Sequence, residues 1–152
     1  MLELRHALLD RLGGASVSAD LVAQKAVRGR LIATAAVTAL VPAGSILDVN
    51  QRPAPVPSII LGEGQALEGT RVDRRDERVI LDLHIWKKEA GLVGVKAIAG
   101  AIRAALHADR LPPLDGYHFG DCRVVSRRYL RDPDGETAHG IVTVEARVVE
   151  VV

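Results

Sequence analysis

The sequence predicts an α+β fold, with two helices packed on one face of a mainly antiparallel or mixed sheet of four to five strands and a short extra helix at the N-terminus. Three observations carry this. Several stretches alternate apolar and polar residues, giving strands one dry and one wet face. Two other stretches repeat apolar residues at helical spacing, which supplies the covering layer. Apolar residues make up 48% of the 152 positions, chiefly Val, Leu, Ile and Ala, with aromatics at 3%. That composition fills a β-rich core and argues against a deep aromatic ligand pocket.

Taken in order, Leu4, Leu8 and Leu12 share one stripe of a short helix over 2–12, stopped by Gly13 and Gly14. "SVSADLVAQKAVRGRLIATAAVTALV" reads as one long helix with Ser18 as N-cap, Asp20 near the positive end of the dipole, and Pro42 and Gly44 beyond its end. "SILDV" is a short strand. "NQRPAPVPS" is an extended link, since its prolines lack backbone donors. "SIILGEG" is a strand closed by glycines, and "EGTRVDRRDER" an exposed charged loop.

In "RVILDLHIWKK" the residues Val79, Leu81, Leu83 and Ile85 face one way and Asp82, His84 and Trp86 the other. "GLVGVKAIAGAIRAALHAD" is a helix with Val95, Ile98, Ile102, Ala105 and Leu106 on its apolar stripe, where Gly94 and Gly100 allow close approach. Two strands end the chain, "DCRVVSRRYLR" and "AHGIVTVEARVVEV". On the first, Cys122, Val124 and Leu130 are expected opposite Arg123, Arg127, Tyr129 and Arg131. Arg128 breaks that alternation, which suggests a bulge near Ser126. On the second, Val142, Val144, Ala146 and Val148 point inward. Residues 1–17 are thus expected to be an extension and 18–152 a single domain.

The totals exclude several function classes. Twenty basic and 19 acidic side chains give a net charge of +1, so nothing marks the whole chain as a nucleic-acid or membrane-surface binder. No segment nears the ~20 apolar residues that span a bilayer, and the charged start lacks a signal peptide's apolar run, so synthesis in the host cytoplasm is expected. The single cysteine, Cys122, excludes an internal disulfide and, by its apolar neighbours, reads as a small core residue.

The densest cluster of chemistry-bearing side chains is "RDPDGETAHG", with Asp132, Asp134, Glu136 and His139. Asp, Pro and Gly at the first, second and fourth positions of "DPDG" are the preferences of a type I turn, with Asp132 placed to cap backbone donors. A calcium loop needs oxygen ligands at alternate positions, and these are missing. The stretch is a hairpin turn. His6, His84, His107, His118 and His139 show no helical metal-pair spacing and read as surface or sheet-face residues. Catalytic, metal-binding and cofactor-binding residues are therefore not expected. The arginines of "DCRVVSRRYLR" and an exposed Trp86 are better candidates for an interaction surface.

Several pieces in order, "AVRGRLIATAAVTALVPAGSILDV", "PSIILGEG", "LDLHIWKKEAGLVGVKAIAGAIRAAL" and "RYLRDPDGETAHGIVTVEA", resemble the tail-completion or tail terminator proteins of long-tailed bacteriophages, prophages and gene transfer agents. The resemblance covers about residues 19 to 150 and rests on the ordered set: an "ALV" helix end, an "ILD" strand, an "LG" strand, "HIW" leading into an alanine-rich helix, and a closing "LRDPDG…HG" hairpin.

It implies a structural virion protein of the tail or neck, forming a homo-oligomeric ring, usually a hexamer. The ring caps the head-proximal end of the tail tube, stops tube polymerisation and joins tail to head. The implied partners are further copies of the chain, the tail tube protein and a head-completion or stopper protein. DNA would pass through the lumen without sequence specificity; no membrane and no cofactor are implied. The expected subunit or partner contacts are Arg74, Arg75, Trp86, Arg123, Arg127 and Arg131. Three alternatives stay open: a stopper or adaptor of the same neck, a small enzyme using His84 or His139 with Asp132 or Glu136, and a nucleic-acid module using the arginine face.

Overall fold

In the computed structural model, which describes residues 17–51 and 53–151, the chain runs through α1 (Ala19–Ala33), α2 (Ala35–Thr38), a 3₁₀ turn (Ala43–Ser45), β1 (Ile46–Leu47), β2 (Ser58–Glu68), β3 (Asp76–Lys88), α3 (Val93–His107), β4 (Tyr117–Arg131) and β5 (Thr137–Glu150). The expected helix over 2–12 lies outside the described residues. The strands form one sheet in the order β1-β2-β3-β5-β4. β1 joins β2 in parallel and every other pair is antiparallel. The sheet is therefore mixed, and the α+β class holds.

α1 buries Val22, Ala23, Ala26, Val27 and Leu31, the i, i+3, i+4 spacing of a helix lying on a core. α3 buries Val95, Ile98, Ala99, Ile102, Ala105 and Leu106 in the same way. Facing them are Val79, Leu81, Leu83 and Ile85 of β3 and Val142, Val144, Ala146 and Val148 of β5, all buried as their alternation predicts. Each fully buried aliphatic side chain of this size contributes about 1.5–3 kcal/mol. Arg30 ties the two helices together by donating to the carbonyls of Ala105 (2.9 Å), Asp109 (3.0 Å) and Arg110 (3.0 Å), groups that the end of α3 leaves without helical partners. Glu89 serves the other end of α3, accepting from the backbone N–H of Gly94 and Val95 at 3.0 Å.

Several local expectations are corrected. The long first helix breaks at Thr34, whose backbone is extended (φ −98°, ψ 112°) and whose Oγ1 donates to the Arg30 carbonyl at 2.6 Å. A continuous helix would turn Val37 roughly 240° from Leu31, off the core stripe; after the break, Val37 and Val41 are fully buried. Ser18 holds the N-cap position with its carbonyl rather than its side chain. Glycines do not close β2, which runs on to Glu68 with a register shift between Leu61 and Gly64. The charged loop is shorter than expected, since residues 76–78 already pair with β5. Gly94 does make a close approach, as a Cβ there would strike Lys87 and Glu89, whereas Gly100 has open space beside it.

The last hairpin is as expected, with one role reassigned. Gly135 donates to the Asp132 carbonyl at 3.0 Å and takes a positive φ of 73°. The capping carboxylate belongs to Asp134, which accepts from the N–H of Glu136 and Thr137 and from the Thr137 hydroxyl. Those bonds hold the Asp134 carboxyl below its usual range.

The suspected bulge on β4 is present, as a register shift between Val124 and Ser126. It changes the face of everything after it. Arg123 pairs with Glu145 on the uncovered side, while Arg127, Tyr129 and Arg131 pair with Val142, Gly140 and Ala138 on the helix side. Tyr129 accordingly packs on the core and carries the Lys96 ammonium 5.4 Å above its ring, and Leu130 is 45% exposed. Arg123, Arg127 and Arg131 therefore do not share one face. Cys122 faces the core, and burial pushes its thiol up to about 11.

Candidate functional site: the uncovered face of the sheet

With both long helices on one side, the other side of the sheet carries Arg78, Ile80, Asp82, His84 and Trp86 of β3 opposite Arg147, Glu145, Thr143, Ile141 and His139 of β5. Alternation places these residues together, and cross-strand bonds then lock them. Arg78 Nε donates to Glu145 Oε1 at 2.9 Å, and the Thr143 hydroxyl donates to Asp82 Oδ1 at 2.6 Å. Such pairs stabilise an antiparallel ladder by about 0.2–1 kcal/mol each.

The most organised part lies toward the ends of β2 and β3. Trp86 and His139 are directly opposite, and their rings stack at 3.8 Å between centroids with 6° between planes. His139 Nε2 lies 2.9 Å from His84 Nδ1, and His84 Nε2 lies 2.7 Å from Glu63 Oε2. One line of contacts thus crosses three strands, from Glu63 through His84 and His139 to Trp86. Ile60 and Ile141 are buried on this same face, outside the main core, as the two cross-strand neighbours of His84.

The glycine-rich end of "SIILGEG" has its explanation here. A Cβ on Gly62 would sit 2.7 Å from His84 Cδ2 and 2.9 Å from His84 Nε2, so glycine makes room for the imidazole. The register shift at the same point aims Glu63 across at His84. His84 holds the Glu63 carboxyl below its usual range, chiefly by the hydrogen bond. Burial, with the neighbouring His84 second, holds the His139 imidazole below its usual range. An open cleft of about 390 Å³ runs beside this line, with Asp48 and Asn50 on its far wall.

In chemical terms the array is a fixed, polar, partly aromatic surface. Among the described residues, no group of three or more His, Cys, Asp or Glu side chains could hold a metal ion. The carboxylate against His84 is Glu63, rather than the Asp132 or Glu136 considered with an enzyme in mind. Sequence reasoning missed Glu63, Gly62 and the His84–His139 contact. The available signal was that "LGEG", "HIW" and "HG" each place a polar or aromatic group on a strand.

Of the expected interface residues, Trp86 belongs to this array. Arg74 and Arg75 sit in the β2–β3 turn, roughly 35 Å away along β3 at ~3.3 Å per residue. That turn is tightly built: Arg71 pairs with Asp73 at 2.6 Å, Asp73 accepts from the Arg75 N–H, and Asp76 accepts from the Arg71 N–H. Arg74 takes a positive φ of 60°, and Val72 beside it is 92% exposed. Arg123 lies on the uncovered face beside Asp121, at 3.7 Å, and Arg127 and Arg131 on the other side of the same edge strand.

The sequence profile of the tail completion protein gp17 family matches residues 25–149. No curated protein matches the sequence. Among solved structures, a chain from the virion of a native gene transfer agent particle superposes with a TM-score of 0.76 at 21% identity, covering 87% of this chain and 98% of that one. The gp17 protein of bacteriophage SPP1 superposes with a TM-score of 0.56 at 19% identity, covering 86% of this chain and 90% of that one.

Proposed function

This chain belongs to the tail completion protein gp17 family, and from that premise we propose that it is a structural component of a phage or gene-transfer-agent tail, forming a ring that caps the head-proximal end of the tail tube. Binding there stops tube polymerisation and presents a surface to the head-completion protein, with DNA passing through the lumen. On this reading the chain sits in the virion tail or neck, works without a cofactor and is not an enzyme.

The observation that carries the reading is the family match over most of the chain, supported by a fold shared nearly end to end with a chain of a gene transfer agent virion. The uncovered face agrees with it. Its side chains are held by cross-strand bonds before any partner arrives, so docking costs little further side-chain ordering.

The test is to add the purified chain to polymerising tail tube protein and measure tube lengths by electron microscopy. The expected outcome is short, uniform tubes with one closed end. An unchanged length distribution would overturn the capping role, and binding to the head-completion protein alone would point to a stopper instead.

A further inference from the structure

The sheet has two open edges, and they differ in charge. β1 covers β2 only at Ile59 and Ile60, so residues 61–68 have no strand on their far side among the described residues, and residues 62–66 are all exposed. On the opposite side β4 pairs only with β5. Its first half is shielded, because the Val124 N–H donates to His107 Nε2 at 2.9 Å and residues from 106 to 110 line a groove along residues 120–123. The open part is residues 125–131, exposed except for Tyr129.

The open stretch of β2, "LGEGQALE", carries Glu63 and Glu68 and no base. That of β4, "VSRRYLR", carries Arg127, Arg128 and Arg131 and no acid, and none of these arginines has an ion pair among the described residues. The signs also match face by face. Glu68 lies opposite Glu77 on the helix side, as do Arg127 and Arg131, while Glu63 and Arg128 lie on the uncovered side.

We propose that copies of this chain join edge to edge, residues 61–68 of one pairing antiparallel with residues 125–131 of the next. β2 and β4 already run in opposite directions within the sheet, so copies standing side by side in the same sense meet antiparallel. Two different surfaces meet, which makes the contact head-to-tail and allows a closed ring.

The stagger also fits closure. The open part of β2 lies level with residues 77–83 of β3 and that of β4 with about residues 82–87, an offset of roughly 15 Å along strands rising ~3.3 Å per residue. Across the four strands from β2 to β4, ~4.8 Å apart, this is a tilt of roughly 38°, within the ~35–45° of closed barrels. The same offset keeps β1 and the shielded half of β4 clear of the contact. Until an acidic edge arrives, the arginines and the bulge protect β4 from indiscriminate pairing.

This pairing rests on the ring reading and specifies its subunit contact. The test starts from Cys122→Ala, which removes the one native thiol. Leu67→Cys and Ser126→Cys, both on the uncovered side and facing each other when residue 68 lies opposite 125, are made separately, one with a size tag, then mixed and oxidised during assembly with tube protein. A mixed disulfide that neither variant forms alone supports the pairing. Oligomers in native mass spectrometry without it overturn the pairing and leave the ring standing. A chain that stays monomeric with tube protein present overturns the pairing as well, and the tube-length measurement decides the ring separately.

As a second measurement, Arg127→Glu with Arg128→Glu should abolish oligomers with an unchanged melting temperature. Mixing that chain with Glu68→Lys should restore them. Wild-type assembly by the charge-reversed chain alone would overturn the proposal.

Discussion

His84 Nδ1 and His139 Nε2 lie 2.9 Å apart across the β3–β5 pair, so the two rings share a single proton, with Glu63 bonded to the far side of His84. A second proton at that contact would set two N–H donors against each other and break the bond. The array is therefore sensitive to acid.

The first prediction concerns that sensitivity. His139 titrates near 6.5 when unfolded, and burial and His84 hold it lower in the fold. Between those two values the unfolded chain binds more protons, so stability falls as pH drops below about 6.5 and levels off below the folded value. Glu63, held below 4.5, adds a loss in the same direction at lower pH. The melting temperature should decline from pH 7.5 to pH 5. His139→Gln should flatten the upper part of that decline; an unaltered slope in the variant would show that another group is responsible.

Gly62→Ala should disturb the array selectively. Its methyl would press on the His84 ring at under 3.0 Å, a ring held on its two sides by Glu63 and His139. Overpacking of this kind costs about 1–3 kcal/mol. Denaturant unfolding would give the loss, and the imidazole resonances in NMR would show His84 leaving Glu63. Unmoved imidazole resonances would mean that the close approach is dispensable.

Arg30→Ala should weaken the joint between α1 and α3. One guanidinium serves three carbonyls at the end of α3, and charged hydrogen bonds contribute about 1.5–3 kcal/mol. Arg30→Lys should recover only part of this, because an ammonium lacks the planar fork. Urea midpoints for the two variants would decide, and equal midpoints would remove the fork from the account.

Trp86→Ala and the pair Arg74→Glu with Arg75→Glu should separate assembly from folding. The tryptophan change removes a half-buried stack worth about 0.5–1.5 kcal/mol beyond its buried area. Arg74 is exposed and Arg75 half-buried in a turn held by other side chains, so stability should move by no more than about 0.5 kcal/mol. Both variants should fail to limit tube length. Normal tube lengths with either would drop those residues from the contact surface.

Much of the fold was legible because side-chain period is a local property. The alternation in "RVILDLHIWKK" predicted both faces of β3, and the turn residues of "DPDG" predicted the final hairpin. The break at Thr34 was not legible, since no glycine or proline marks it and only the burial of Val37 and Val41, which a continuous helix would turn off the core stripe, bends the chain. The β4 bulge was visible as the misplaced Arg128. Its consequence, Tyr129 turned in and Leu130 turned out, followed only from pairing with β5.

The sequence by itself therefore determined which residues form strands and helices, which face of each goes dry, and the family to which the chain belongs. All of these are written within a few residues of one another or in their order along the chain. Tertiary structure alone decided that Glu63, His84, His139 and Trp86 form one array, and that one open edge is acidic and the other basic. Both depend on the register and order of strands that lie far apart in the chain. No tight turn sets the register of β3 against β5. The packing of their shared apolar face does.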